Sequence, residues 1–398
     1  TTQLVSTANG TVLWDSIYES PSRDVFAVQD EFTRAIVAAL APSLGDHGAA
    51  ASAPDALRGT TDQEAYDLYL KGRYFWLERG AANVEQAIAY FQQALARDPT
   101  FARAQAGLAM AYAVLPNYIP DAADSLAGLT MENARRAVAL DSTLADAQLA
   151  LGLALDIHLR FREALARYRT GLALEPSSET VHHWLGFSLL NLGRTDQALV
   201  ELRRATQLDP QATAPASALG TALLYARQFP EAVAASRRAL TLDSTYAFAI
   251  WTLGLAQAFG GQPDSAALTL ERGARMHPDD SRLSSALLFA YAASGRWADA
   301  QRIREQLRRA GGDRYGGGDA ALAELVFGDR EPLVRLLTTE AGQRSREEHG
   351  GTFGCDPLLD PLWADARFRR AMRALGVEAC ALARPWPIPR RAARGVAG

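Results

Sequence analysis

Two kinds of apolar stripe alternate along most of this chain, and the alternation returns every 34 residues. The stretch from Ser177 to Pro210 shows one cycle. Val181, Trp184, Leu185, Leu189 and Leu192 share a helical face, which predicts a first helix capped by Ser178. Asn191-Leu192-Gly193-Arg194 reads as a turn. Ala198, Leu202 and Ala205 line the inner face of a second helix, from about Asp196 to Leu208. Asp209-Pro210 ends it, because proline cannot continue a helix.

The register is kept from cycle to cycle. A closing acid stands at Asp141, Glu175, Asp209 and Asp243, and one more step reaches His277. Leu-Gly pairs fall at Leu151-Gly152, Leu185-Gly186, Leu219-Gly220 and Leu253-Gly254. Alanines fall at Ala164, Ala198, Ala232, Ala266 and Ala300. A glycine inside a helix costs about 1 kcal/mol against alanine. Its return in four units predicts a shared reason, close approach of the partner helix. A period of this length predicts a solenoid, in which stacked units share one core.

Leu185-Gly186, Ala198 and Pro210 in this register resemble the tetratricopeptide repeat. The signature tryptophan is displaced: His182 and Ile250 stand where it is expected, and Trp184 and Trp251 follow. Asp141-Ser142 and Asp243-Ser244 replace Asp-Pro. The resemblance covers residues 62–310. It implies an all-α fold, an α-α superhelix of about seven antiparallel helix pairs, right-handed. From Asp98 to Asp141 the spacing exceeds the period, and the excess around Pro116-Asn117-Tyr118-Ile119-Pro120 is expected to loop out between the helices of the second unit.

Four regions follow. Residues 1–40 read as a hairpin around Asn9-Gly10 and an amphipathic helix over 24–40. A lone hairpin is marginal in water, so this one is expected to belong to a larger sheet upstream. The opening Thr1-Thr2-Gln3 likewise reads as the inside of a longer protein. Gly10-Thr11-Val12-Leu13-Trp14 and Asp24-Val25-Phe26-Ala27-Val28-Gln29-Asp30-Glu31 are similar to the end of the TolB-like domain that precedes tetratricopeptide arrays in bacterial multidomain regulators. That resemblance implies an upstream Ser/Thr kinase, nucleotide cyclase or winged-helix regulator, and an array on either side of the membrane that tethers such a parent. Residues 41–61 read as a linker rich in Ala, Pro, Gly and Ser. Residues 62–310 are the array, opened by a capping box at Thr61-Asp62-Gln63-Glu64. Tyr66 to Tyr74 resembles the opening of the same regulator arrays. In residues 311–398 the Gly316-Gly317-Gly318 stretch breaks the pattern, and a shorter helical pair follows over about 319–340. Cys355-Asp356-Pro357 to Trp363, with Arg367-Phe368, resembles the closing helix of those arrays and is expected to cap the solenoid; a loose proline- and arginine-rich tail follows.

Composition changes this picture little. The net charge of −4 gives no basic footprint for nucleic acid, and no apolar run is long enough to span a membrane. Lys71, the sole lysine, lies in Leu-Lys-Gly-Arg, which excludes a P-loop. Kinase catalytic motifs are lacking. The six histidines are scattered, and the adjacent His182 and His183 point apart on a helix, so no metal pair is expected. No catalytic residue and no cofactor is assigned. Cys355 and Cys380 read either as two small hydrophobes or as a disulfide pinning the cap.

The resemblance also implies a concave groove lined by the first helices. Carried over, its positions are His183, Phe187, Leu190 and Asn191, then Ser217, Thr221, Leu224 and Tyr225, then Phe248, Trp251, Leu255 and Phe259, then Ser285 and Phe289. His183 and Arg282 are its cations, which disfavours acidic partners, and the Lys, Asn and Arg set of chaperone-binding arrays is missing. An apolar, aromatic groove implies a protein or peptide ligand. The aromatic side chains read equally as core between repeats. Two functions fit: a non-catalytic interaction scaffold, or the sensory or docking region of a larger signalling protein.

Overall fold

The computed structural model describes residues 2–5, 12–16, 59–119, 122–310, 317–339, 343 and 354–388. The Asn9-Gly10 turn, the 24–40 helix, most of the linker, the glycine-rich break at 311–316 and the tail beyond 388 lie outside these residues. Contacts divide the chain into two compact units, Thr1–Leu108 and Ala109–Gly398.

In the first unit, Thr2–Val5 (β1) pairs antiparallel with Val12–Ser16 (β2), with Leu4 opposite Trp14. Gln63–Glu78 (α1) and Ala81–Arg97 (α2) form a helix pair, and Ala102–Val114 (α3) begins here. The cap of α1 is Asp62, one residue later than the capping box predicts: its carboxylate accepts the Ala65 amide at 2.9 Å. Glu64, the expected reciprocal partner, is drawn instead to Arg97 at 3.0 Å. Phe91 is held between two glycines. An added Cβ at Gly72 or at Gly107 would come within 2.7 Å of its ring, so only a residue without a side chain lets both helices approach it.

The second unit contains the regular array. Its helices are Ala123–Leu140 (α4), Ala145–Ile157 (α5), Phe161–Leu174 (α6), Glu179–Asn191 (α7), Thr195–Leu208 (α8), Thr213–Tyr225 (α9) and Phe229–Leu242 (α10). Ala247–Phe259 (α11), Pro263–Met276 (α12), Ser281–Ala293 (α13) and Trp297–Ala310 (α14) complete it. The shorter pair is Gly317–Val326 (α15) and Glu331–Leu337 (α16). From α5 to α13 the first helix of each pair starts 34 residues after the last. The excess over the period holds a 3-10 turn, Leu115–Asn117, between α3 and α4.

The two helices of a pair differ because their surroundings differ. First helices are buried nearly all round: α7 buries Val181, His183, Leu185, Gly186, Ser188, Leu189, Leu190 and Asn191. Second helices bury one stripe, Ala198, Leu199, Leu202 and Ala205 in α8. A helix apolar on every side belongs inside, and one with a single stripe belongs at the surface. Each fully buried leucine contributes about 1.5–3 kcal/mol.

The closing acids end one unit and start the next. Asp141, Asp209 and Asp243 each give a backbone amide to the carbonyl four residues back. Each carboxylate then accepts the amide two residues on, from Thr143, Gln211 and Thr245, at 2.8–2.9 Å. This local turn explains why a short carbonyl-bearing side chain recurs there.

Candidate functional site

The predicted groove residues all lie in the second unit, and most are covered. His183, Asn191, Thr221, Tyr225, Trp251, Leu255 and Phe289 are buried, while Phe187, Phe248, Phe259 and Arg282 are half-buried. Much of the stripe joins one repeat to the next. The Thr221 and Thr252 hydroxyls share a hydrogen bond of 2.9 Å between α9 and α11. Phe259 stacks on Phe229 at 6.2 Å and on Phe289 at 4.8 Å between ring centroids. Phe248 meets Trp251 edge-on at 6.5 Å.

Arg282 is engaged from several sides. Asp280 accepts from it at 2.7 Å, it lies 4.2 Å from the Phe248 ring centre, and it reaches the Asn117 carbonyl at 3.4 Å. Burial works to raise the Asp280 carboxyl pKa, but Arg282 outweighs it and holds the carboxyl below its usual range. His182 and His183 diverge as expected: His182 meets Glu201 at 2.7 Å and the Pro176 carbonyl at 3.1 Å, whereas His183 is buried.

The segment 354–388 holds the expected cap; the sequence also marked the tail through Trp386 and its prolines as a candidate occupant of the groove, but not the path that the segment takes. It contains a 3-10 helix, Pro357–Ala364, and a helix, Ala366–Leu375 (α17), each capped by the preceding aspartate, Asp356 and Asp365. α17 meets α16, as a cap should, through Arg367 and Glu331 at 2.8 Å. The segment also runs back along the turns between first and second helices. The Glu378 amide donates to the Leu192 carbonyl at 3.0 Å, and Arg194 pairs with the Glu378 carboxylate at 3.0 Å. Arg227 reaches the Cys355 carbonyl at 2.6 Å and Asp360 at 2.5 Å. Trp386 sets its edge against Phe289 at 5.0 Å and donates to the Pro357 carbonyl at 2.9 Å. The turns after α7 and α9 are thus met by the chain itself, through Arg194 and Arg227.

Arg227 is anchored against local preference. Positions 159, 193, 227, 261 and 295 are equivalent in register, and all have positive φ. Gly193, Gly261 and Gly295 adopt it freely; Leu159 and Arg227, with φ of 58° and 60°, do not. A side chain in that region costs about 1–2 kcal/mol. The ion pair with Asp360 is almost fully buried on both sides. Burial pushes the Asp360 carboxyl up, and the Arg227 charge pulls it back.

The Cys355 and Cys380 Cα atoms are 5.0 Å apart, inside bridging range, and the two sulfurs form a disulfide. Alkylation of the non-reduced, unfolded chain should find no free thiol. Two labelled cysteines would remove the bridge.

A cavity of about 490 Å³ lies among Met131, Arg135, Leu151, Leu155, Glu163 and Arg167. A smaller one, about 290 Å³, lies one period later among Arg169, Leu185, Leu189, Gln197 and Glu201. Their recurrence marks them as gaps between units, and the change from Arg167 to Glu201 denies them a common ligand chemistry. Among the described residues, no group of three His, Cys, Asp or Glu side chains forms a metal site, and no helix is long and apolar enough to cross a membrane.

The chain matches the model of the tetratricopeptide repeat over residues 75–128, 149–213 and 217–281. It is 33% identical over 171 residues to putative adenylate cyclase 3 of Rhizobium meliloti (strain 1021), a match covering 41% of this chain and 27% of that relative. The chain therefore spans about a quarter of the relative's length. Among solved structures, a thermophilic tetratricopeptide-repeat protein of Thermus thermophilus is 25% identical with a TM-score of 0.41, covering 46% of this chain and 99% of that one. A tetratricopeptide-repeat protein of Parabacteroides merdae is 13% identical with a TM-score of 0.43, covering 72% and 98%. The 34-residue helix pairs, the glycine at each helix crossing and the three matched stretches together identify the chain as a tetratricopeptide-repeat protein.

Proposed function

We propose that this chain is a protein-interaction scaffold whose inner face takes a partner segment bearing a carboxylate and an aromatic side chain. Tetratricopeptide-repeat proteins typically mediate protein–protein interaction, and the fold is generally a non-catalytic scaffold. The observation that carries the finer reading is the fit of the chain's own segment. Arg227 meets a carboxylate, the Leu192 carbonyl meets an amide, and Phe289 meets the edge of Trp386. A partner presenting the same groups has a surface ready for it. Paired arginines and aromatic rings are the groups that dominate binding hot spots. Acidic segments are therefore suitable partners, against the expectation drawn from His183 and Arg282.

A photo-crosslinking side chain at Phe187 or Phe259, installed in cells of the source organism, should join the chain to a second protein. The cross-linked peptide should contain an acidic residue and an aromatic one. The same group at Val200, which is 64% exposed on α8, serves as the control. Cross-links confined to residues 354–388 of the same chain would overturn the reading.

A second reading places this scaffold in a larger signalling protein, favoured by the 171-residue match to a putative adenylate cyclase. The full open reading frame should then form cyclic AMP from ATP, and removal of the array should change that rate. A full-length product without cyclase, kinase or DNA-binding activity would end this reading.

A further inference from the structure

We propose that residues 354–388 are a removable occupant of the inner-face rim, stapled in place by the Cys355–Cys380 disulfide, so that a dithiol reductant uncovers the surface for a partner. The inference deepens the scaffold reading and rests on it for the partner alone.

Among the described residues, the segment's polar links to the turns are one amide to the Leu192 carbonyl, the Arg194–Glu378 pair, and the Arg227 clasp on Asp360 and the Cys355 carbonyl, while its own Leu358, Leu359, Leu362, Phe368 and Met372 are buried. One aromatic contact, Trp386 on Phe289, closes the far end. Turns at the equivalent register positions keep the same backbone conformation with glycine, at Gly193, Gly261 and Gly295. Glycine suffices for a turn of this kind; the Arg227 side chain donates to the Tyr225 carbonyl of its own turn at 3.0 Å and also holds the segment. Strain is retained at two register positions, Leu159 and Arg227, and at Arg227 the side chain is committed to a distant segment, which points to a role for that contact.

The staple acts on the released state. A bridge between residues 25 apart shortens the loop that a freed segment could explore. Opening it gives that state more conformations and shifts the balance toward release. Both cysteines are buried in the docked form, so exchange proceeds when the segment transiently lifts. A thiolate of the reductant then attacks one protein sulfur and forms a mixed disulfide. Its second thiol displaces that bond. The reductant leaves as its own disulfide, and Cys355 and Cys380 each gain a proton as thiols, with two electrons transferred. The partner-binding groups Arg194, Arg227 and Phe289 are then free to meet a segment from another chain.

Residue-resolved hydrogen exchange on the full chain tests this directly. The Glu378 amide reports docking, because it donates to the Leu192 carbonyl; the Arg194 amide, which donates to the Leu189 carbonyl, reports the array. Reduction by dithiothreitol, or the Cys355→Ser/Cys380→Ser variant, should speed exchange at Glu378 about a hundredfold, the effect of opening a cross-linked loop of this size. Exchange at Arg194 should not change. The Arg227→Gly variant, which places at 227 the residue found at 193, 261 and 295, should speed Glu378 in the oxidised chain while the array stays folded. An unchanged Glu378 rate after reduction overturns the proposal. So does equal acceleration of Glu378 and Arg194, since the segment would then be part of the fold. If exchange responds as expected but no second protein cross-links to Phe187 or Phe259, the gate stands and the scaffold reading fails.

Discussion

Leucine at Gly186 and Gly254 together should lower the stability of the array by about 2–6 kcal/mol, enough to threaten its folding. The glycines at 152, 186, 220 and 254 each face a second-helix residue sixteen positions later: Tyr168, Leu202, Ser236 and Leu270. A Cβ built at Gly186 would lie 2.6 Å from Leu202 Cγ, and one at Gly254 would press on Leu270 still harder. Leu202 and Leu270 are fully buried. The helix axes must move apart, and the stacking with neighbouring units moves with them. Overpacking of this kind costs about 1–3 kcal/mol at each site. The two sites lie two units apart and share no partner, so their costs should add. Urea denaturation followed by circular dichroism measures the loss. Val200→Leu, at a position 64% exposed, is the control and should shift stability by no more than about 0.5 kcal/mol. A double variant as stable as the control would remove close approach as the reason for the repeated glycine.

That reason was legible in the sequence because it is local and periodic. The register of Gly186 and Ala198 placed each helix crossing, and the Asp-to-Asp spacing placed each boundary between units. What the register could not show is whether an inward side chain meets solvent or the next helix. Thr221 and Tyr225 occupy groove positions by spacing, yet both are buried, and Thr221 bonds to Thr252 of the next first helix. The sequence marked residues from Cys355 to Trp363 as a cap and the tail through Trp386 as a candidate occupant of the groove, but the path of residues 354–388 between them left little trace. Its anchors pair positions 133 and 184 residues apart, with no period to reveal them. One signal was available: Arg227 stands at the register position that holds glycine in three other units. A cationic residue where the turn prefers glycine asks for a partner, and Asp360 is that partner.

A second break in register carries the other large effect. Asp156 stands where Leu190 and Leu224 stand in the following units, deep in the core. Its carboxylate accepts the Tyr168 hydroxyl at 2.6 Å and the Ser188 hydroxyl at 2.9 Å, so it ties α5, α6 and α7 together. Burial is the dominant influence and pushes its pKa up to about 7 from 3.8, while the two hydroxyls pull it down. The sign follows from proton binding. Below pH of about 4 the carboxyl is protonated in both states, and its stabilising contribution is complete. Between about 4 and 7 only the folded chain keeps the proton, so stability falls as pH rises through that window. A shift of this size corresponds to something on the order of 4 kcal/mol. Asp156→Asn removes the titration and leaves a carboxamide able to bond both hydroxyls. The variant should therefore gain on the parent chain as pH rises from 5 to 8, by roughly 5–10 °C in melting temperature. Other groups that titrate in this range act alike in both chains and cancel in the difference. Melting curves that run parallel across this range would show that Asp156 is already ionised in the folded chain, its charge carried by Tyr168 and Ser188.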